Sequence, residues 1–352
     1  MSTKPFITIA NRRIGLDYPP YIIAEMSANH NGDIENAYKI ILSAKNSGVD
    51  SVKMQTYTPD TITLNMDNDD FRVEGGLWDG RNLYELYKEA HTPFDWHKPI
   101  FEFARKNNVV IFSTPFDHSA VDLLEDLNTP AYKIASFELV DLPLIKYVAS
   151  TKKPMIISTG MASLEEINDA IVAANDAGCN EIAILRTVSG YPAPAIDYNL
   201  NTIPDMIKRF GLVTGLSDHT IDNITAYSSI ALGARIIEKH FTLDRNGSGP
   251  DDKFSLEENE FAALCVGALT SWQSLGEVNY SHKESEKGSL KFRRSLYFVK
   301  NMIAGETITE SSIKSVRPGF GLSPNYYDSL IGKKLKIDVE YGTPTSFELL
   351  ID

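Results

Sequence analysis

Lys53 and Lys133 each sit inside a short apolar run, where a cation is least expected. Glu25 and Glu238 occupy equivalent places in two other runs. Burying an unpaired charge is costly, so these four side chains need a polar cavity or close partners. Hydroxyls recur at the same kind of place: Thr114, Ser136, Ser158 and Ser217. Lysine supplies charge and hydroxyls supply directional donors, a combination that suits a phosphate-containing ligand. His219 and His240 close two neighbouring runs. Two imidazoles there could share a metal and leave positions open for substrate and water. Taken one at a time, each lysine could form a structural ion pair, and each histidine could be a hydrogen-bonded structural residue. Their joint occurrence favours a lined cavity. On the residues alone this reads as a metal-dependent enzyme acting on a phosphorylated substrate, by condensation, isomerisation or hydrolysis. Of the other histidines, His30 follows the first strand candidate, while His91, His97, His118 and His282 fall on helix-like or linker segments and read as surface or packing residues.

The elements that would position these groups are eight strand candidates, at residues 21–26, 51–56, 109–113, 131–134, 154–158, 181–187, 212–216 and 235–240. Helical patterns separate most of them. In 163–178, Ser163 and Glu166 form an S-x-x-E capping box, Leu164, Ile167, Ile171 and Ala174 follow at helical spacing, and Gly178 can stop the helix. A second helix follows Ser255, with Phe261, Leu264, Ala268, Trp272 and Leu275 on one face and Gly276 after it. Strand–helix alternation with apolar strands predicts a parallel sheet covered by helices, and eight such units predict a closed (β/α)8 TIM barrel. Active groups then belong at the C-terminal ends of the strands. A doubly wound open sheet is the alternative, but no G-x-G-x-x-G loop supports it.

The chain has 352 residues, more than one barrel of ~250 residues absorbs. The alternation stops near Gly276, residues 277–291 read as a polar linker, and 292–352 as a small β-rich domain after the 1–276 catalytic domain. Hydrophobic residues make up 43% and charged ones 23%, an ordinary globular balance. The formal net charge of -13 disfavours a general nucleic-acid binder but not a local cationic site for a small anion. Cys179 and Cys265 lack nearby cysteine partners, so a reducing compartment is expected, with no disulfide framework and no cysteine zinc site. No apolar run is long enough to cross a membrane and the N-terminus lacks the form of a signal peptide, so the expected location is the cytoplasm.

The segments IIAEMSANHNG, VKMQTYTPD, FSTPFD, YKIASFE, IISTGM, GLSDHT, IEKHFTLD and SVRPGFG together resemble the sialic acid synthase family over nearly the whole chain. Within it, residues 78–97 resemble the branch that makes pseudaminic acid. The tail from Arg293 resembles the antifreeze-like (SAF) domain that these synthases carry. The resemblance implies condensation of phosphoenolpyruvate with an open-chain N-acetylated amino sugar, with release of phosphate. In the pseudaminic branch the sugar is 2,4-diacetamido-2,4,6-trideoxy-L-altrose; the neuraminate and legionaminate branches are the alternatives.

Residue by residue, the family's phosphoenolpyruvate positions match Lys53, Thr114, Lys133, Ser136, Ser158, Ser189 and Ser217. Glu25 matches a carboxylate near the reacting sugar, and Gln55, Glu138, Tyr191 and Asp251 match sugar-contacting positions. His219 and His240 match ligands of a divalent metal, typically Mn2+, with Mg2+ or Co2+ as alternatives. Arg317 matches an arginine that one subunit inserts into the other's site, which implies a domain-swapped homodimer. Arg186 and Thr187 depart from the pair usual in relatives, which weakens the match at Ser189. Trp78, Leu83, Tyr84 or Phe94 could supply apolar contact to a deoxy sugar, or simply pack a helix. A non-catalytic sugar-binding protein is the reading from another class; it would not need lysines, hydroxyls and two histidines together.

Overall fold

Eight parallel strands close into a barrel in the computed structural model, which describes residues 5–351. A hairpin of β1 (Phe6–Ile9) and β2 (Arg12–Gly15) precedes the barrel. The barrel strands are β3 (Tyr21–Glu25), β4 (Ser51–Thr56), β5 (Val110–Pro115), β6 (Tyr132–Ile134), β7 (Met155–Ser158), β8 (Ile182–Thr187), β9 (Val213–Ser217) and β10 (Ile236–His240). They follow one another around the ring in chain order, and β10 pairs with β3 to close it. The eight expected strands and the TIM barrel are thus observed.

Side chains alternate between the two faces of a strand, and here the alternation divides the chemistry. Val52 and Met54 on β4, Ile157 on β7, Ile184 on β8 and Ile237 on β10 join the large apolar cluster shared with the surrounding helices. The other parity faces the barrel interior. Its lower layer is apolar: Ile23, Phe112, Ala131, Ile156, Leu185, Val213 and Ile236 form a second cluster. One step of two residues further along the strands stand Glu25, Thr114, Lys133, Ser158, Thr187 and Glu238, all buried. The polar set expected at strand ends is therefore the upper storey of an interior whose lower storey is packed hydrocarbon.

Ile7, Ile9 and Ile14 of the hairpin belong to that lower cluster. They meet residues at or near the strand starts, such as Tyr21, Val213 and Ile236, so the hairpin seals the N-terminal end of the barrel.

The helix Leu164–Asp176 has the expected capping box between Ser163 and Glu166, and buries Ile167, Ile171 and Ala174. Leu164, at its first turn, is half exposed instead. The helix Glu258–Leu275 starts with Glu257 as its cap, two residues after Ser255, and buries Phe261, Leu264 and Ala268. The chain divides into two units, Met1–Gly276 and Glu277–Asp352. In the second, β11 (Ser295–Phe298) pairs antiparallel with β12 (Ile313–Val316), and Leu296, Phe298, Met302, Ile308, Leu330 and Leu335 supply its core. A 3-10 helix, Glu284–Phe292, lies across most of the stretch read from sequence as a linker. Among the described residues no helix is long and apolar enough to cross a membrane. Cys179 and Cys265 are free thiols.

Candidate active site

Four charges meet in the upper storey of the barrel. Lys53 Nζ lies 2.5 Å from Glu25 Oε2 and 3.5 Å from Glu238 Oε1. Lys133 Nζ lies 3.6 Å from that same oxygen of Glu238. Thr114 accepts a hydrogen bond from Lys53 at 3.0 Å, and Ser217 donates to Glu238 at 3.5 Å. All these side chains are buried. Burial favours the neutral form of each, and the neighbours decide the outcome. For Lys53, burial is outweighed by Glu238 and Glu25, and its pKa is raised. For Lys133, burial wins and its pKa falls to about 8. Burial pushes Glu25 up, against the pull of Lys53 and with the help of Glu238. In Glu238 the two lysines overcome burial and hold the carboxyl below its usual range. With all four ionised the cluster is formally neutral.

A set of hydroxyls borders the cluster. Ser158 ends β7, and Gly160 just beyond it donates its N–H to Ser136 Oγ at 3.1 Å. A methyl group on Gly160 would collide with Ser189 Oγ and lie 2.7 Å from Ser136 Oγ, so this glycine lets the loops carrying the two serines approach. Ser158 Oγ and Ser189 Oγ are buried without a hydrogen-bond partner in the protein. Buried hydroxyls are normally satisfied, so these two are suited to a ligand. Glu138, on the 3-10 helix Phe137–Val140 after Ser136, has one such unpartnered oxygen, and burial pushes its carboxyl up to about 7.

The two histidines face each other with ring centroids 5.5 Å apart. His219 donates from Nδ1 to the Val188 carbonyl at 2.7 Å, which leaves Nε2 with the lone pair. Its backbone N–H donates to the hydroxyl of buried Tyr198 at 2.6 Å. His240 Nδ1 is buried without a hydrogen-bond partner, 4.0 Å from Asp251 Oδ2. Burial lowers His219 to about 4 and His240 well below the usual imidazole value, so both rings are neutral at pH 7. Neutral, oriented imidazoles are the form a divalent metal requires. Among the described residues no group of three or more His, Cys, Asp or Glu could hold a metal. His219 and His240 are thus the two neutral imidazoles available here, and a metal on them would need substrate, water or both to complete its coordination.

Around this pair, Gln55 donates to Glu25 at 3.3 Å and to Ser27 at 3.0 Å. Ser27 in turn donates to Asp251, whose carboxyl burial raises to about 6. Tyr191 lies 4.3 Å from His219, ring to ring, and Phe254 lies 4.8 Å from His240. Glu25, Lys53, Gln55, Thr114, Lys133, Ser217, Tyr191, His219, His240 and Asp251 are thus joined by direct contacts into one region. Arg317 lies in the second unit, exposed, on a cis bond to Pro318.

Some residues of the region were not among the sequence candidates for the site. Glu238 was recognised as needing a partner, and it has two. Ser27 stands at the polar end of the first barrel strand but has no role assigned from sequence, and Phe254 shows no sequence signal. Arg186 has the helix-facing parity of Ile184 and does not line the barrel interior; its guanidinium donates to the Tyr198 carbonyl at 2.8 Å and the Asp197 carbonyl at 3.4 Å. Lys239 likewise has the parity of Ile237 and pairs with Asp218 at 2.8 Å. Period two along β8 and β10 was the available signal for both.

The model of the NeuB family matches residues 40–280, and that of the SAF domain matches residues 293–350. A pseudaminic acid synthase of Helicobacter pylori is 44% identical over 330 residues, 93% of this chain and 97% of that protein. An N,N'-diacetyllegionaminic acid synthase of Campylobacter jejuni is 36% identical, over 89% of this chain and 94% of its own length. The solved structure of the spore coat polysaccharide biosynthesis protein of Bacillus subtilis superposes with a TM-score of 0.67 at 31% identity, covering 99% of both chains. The resemblance drawn from the motifs is borne out across both units.

Proposed function

The chain belongs to the NeuB family, and from that premise we propose that it catalyses the pseudaminic acid synthase reaction. Phosphoenolpyruvate condenses with 2,4-diacetamido-2,4,6-trideoxy-L-altrose, water is consumed, and a nine-carbon 2-keto sugar acid and phosphate are formed. The observation that carries this reading is the buried Lys53–Glu238–Lys133 cluster, bordered by unpartnered serine hydroxyls and standing in the same barrel mouth as two neutral histidines. The higher identity to the pseudaminic than to the legionaminic acid synthase supports the choice of sugar.

In this reading Lys53, Thr114, Lys133, Ser136, Ser158, Ser189 and Ser217 bind phosphoenolpyruvate. The cluster is formally neutral with all four groups ionised and carries one net positive charge with Glu25 protonated, so a polyanionic substrate needs further positive charge in either state. His219 and His240 would hold a divalent cation, Mn2+ first and Mg2+ or Co2+ as alternatives, which when bound supplies Lewis acidity at the sugar aldehyde. Gln55, Glu138, Tyr191 and Asp251 orient the sugar. C3 of phosphoenolpyruvate forms the new bond to the aldehyde carbon, water adds at C2, and the C2–O bond breaks to release phosphate. Glu25, its carboxyl biased toward the protonated form by burial, is placed to hold or return a proton at the sugar or the water. The working unit in this reading is a homodimer, in which a second copy contributes its own Arg317 as a planar fork for an N-acyl carbonyl. Its place is the cytoplasm, where phosphoenolpyruvate is available.

The test is phosphate release in side-by-side assays with the altrose derivative, N-acetylmannosamine and the legionaminate precursor. Release that requires phosphoenolpyruvate, the altrose derivative and a divalent metal together is expected. Preference for N-acetylmannosamine would overturn the branch, and no release after metal reconstitution would overturn the reaction.

A further inference from the structure

The strand neighbours of β3 are β10 and β4, and the loops after both meet above it. Trp78, on the short 3-10 helix Gly76–Trp78 inserted after β4, donates its indole N–H to the carbonyl of Pro250 at 3.0 Å. Pro250 precedes Asp251 and lies in the loop that follows β10. Trp78 thus fastens two loops across the end of the strand that carries Glu25.

Its ring continues a surface that begins at the histidines. The Trp78 centroid lies 5.6 Å from Tyr191 and 6.3 Å from Phe254. Tyr191 and Phe254 are 5.2 Å apart and touch His219 and His240 respectively. Two of the other candidates are engaged elsewhere: Phe94 packs edge-on against His97, and the Tyr84 hydroxyl bonds Asp60 at the surface.

We propose that Trp78 is the specificity-determining residue for the end of the sugar remote from its aldehyde, forming with Tyr191 and Phe254 an apolar wall that rewards a methyl over a hydroxymethyl group. This rests on the reading above, which places the aldehyde at the histidine pair. C6 is the carbon farthest from the aldehyde, so it points away from the pair, along the wall toward Trp78. Trp78 has a single polar atom, and Pro250 already uses it. A 6-hydroxyl entering there loses water and gains no donor or acceptor from the indole, whereas a 6-methyl gains contact. Discrimination from such a wall is modest, about 10- to 100-fold.

The experiment compares wild type with Trp78→Ala and Trp78→Phe, using the 6-deoxy altrose derivative and its 6-hydroxylated analogue. Trp78→Ala is expected to lower kcat/KM for the deoxy sugar by about 10- to 100-fold, mainly through the sugar KM. It should leave the phosphoenolpyruvate KM unchanged and act much less on the hydroxylated analogue. Trp78→Phe keeps an apolar face and should restore part of the preference. Equal losses on both sugars, or an unchanged preference, would overturn the proposal even with both variants folded. Absence of turnover of the deoxy sugar by wild type would instead overturn the reaction on which it rests, and the wall with it.

Discussion

Lys53 Nζ stands 2.5 Å from Glu25 Oε2, with both side chains almost wholly shielded from water. Removing one member leaves the other's charge buried. Lys53→Met is expected to destabilise the fold by about 3–5 kcal/mol, read from urea unfolding. The double variant Lys53→Met/Glu25→Gln should recover part of that loss, because the unpaired buried carboxyl is gone. It should recover no activity.

Glu138 carries a pH dependence of known sign. Its pKa is about 7 in the folded protein against the ordinary 4.5. At this group the folded state therefore binds more protons between those values, and the contribution of Glu138 to stability falls as pH rises from 4.5 toward 7. Glu138→Gln cannot ionise, so its unfolding free energy should lose this slope. An unchanged slope in the variant would show that other groups carry the dependence.

Gly160→Ala tests the serine pair. The added methyl meets Ser189 and Ser136, so the hydroxyls must move apart. Displacing positioning groups by about an ångström can cost roughly 100-fold in rate. Steady-state kinetics should show a raised KM for phosphoenolpyruvate with a much smaller change in the sugar KM.

Arg186 acts at one remove from His219. It holds the Tyr198 carbonyl, and the Tyr198 hydroxyl accepts the backbone N–H of His219. If His219 and His240 hold Mn2+ as proposed, Arg186→Ala should weaken its binding by roughly 10- to 100-fold, measured by calorimetry with the metal alone. Arg186→Lys should restore little, since one ammonium cannot reproduce a fork to two carbonyls.

Much of this region was legible because period two is strict. Ile156 followed by Ser158, or Ile236 followed by Glu238, reads as an inward face turning from apolar to polar. The same period separates Arg186 and Lys239 from the interior, although both are charges near strand ends. The hairpin has little sequence signature: its strands have four residues each, and Arg12-Arg13-Ile14-Gly15 shows no apolar alternation of strand length. The Trp78–Pro250 bond joins positions 172 residues apart, and no local pattern announces such a pair. The need for glycine at 160 has no local signal, because the two hydroxyls it accommodates come from other loops.

Among the described residues, the plug formed by Ile7, Ile9 and Ile14 stops one end of the barrel and makes it a well. Traffic must then be ordered. A ligand held by Lys53 and Lys133, deep and nearly inaccessible, has to arrive before anything rests against Tyr191 and Trp78 nearer the rim. Phosphoenolpyruvate is thus expected to bind first and the sugar second, with the sugar serving as the stopper that keeps bulk water from the reacting carbons. Initial-rate patterns with a dead-end sugar analogue would reveal the sequence: inhibition uncompetitive against phosphoenolpyruvate fits a well, and noncompetitive inhibition does not.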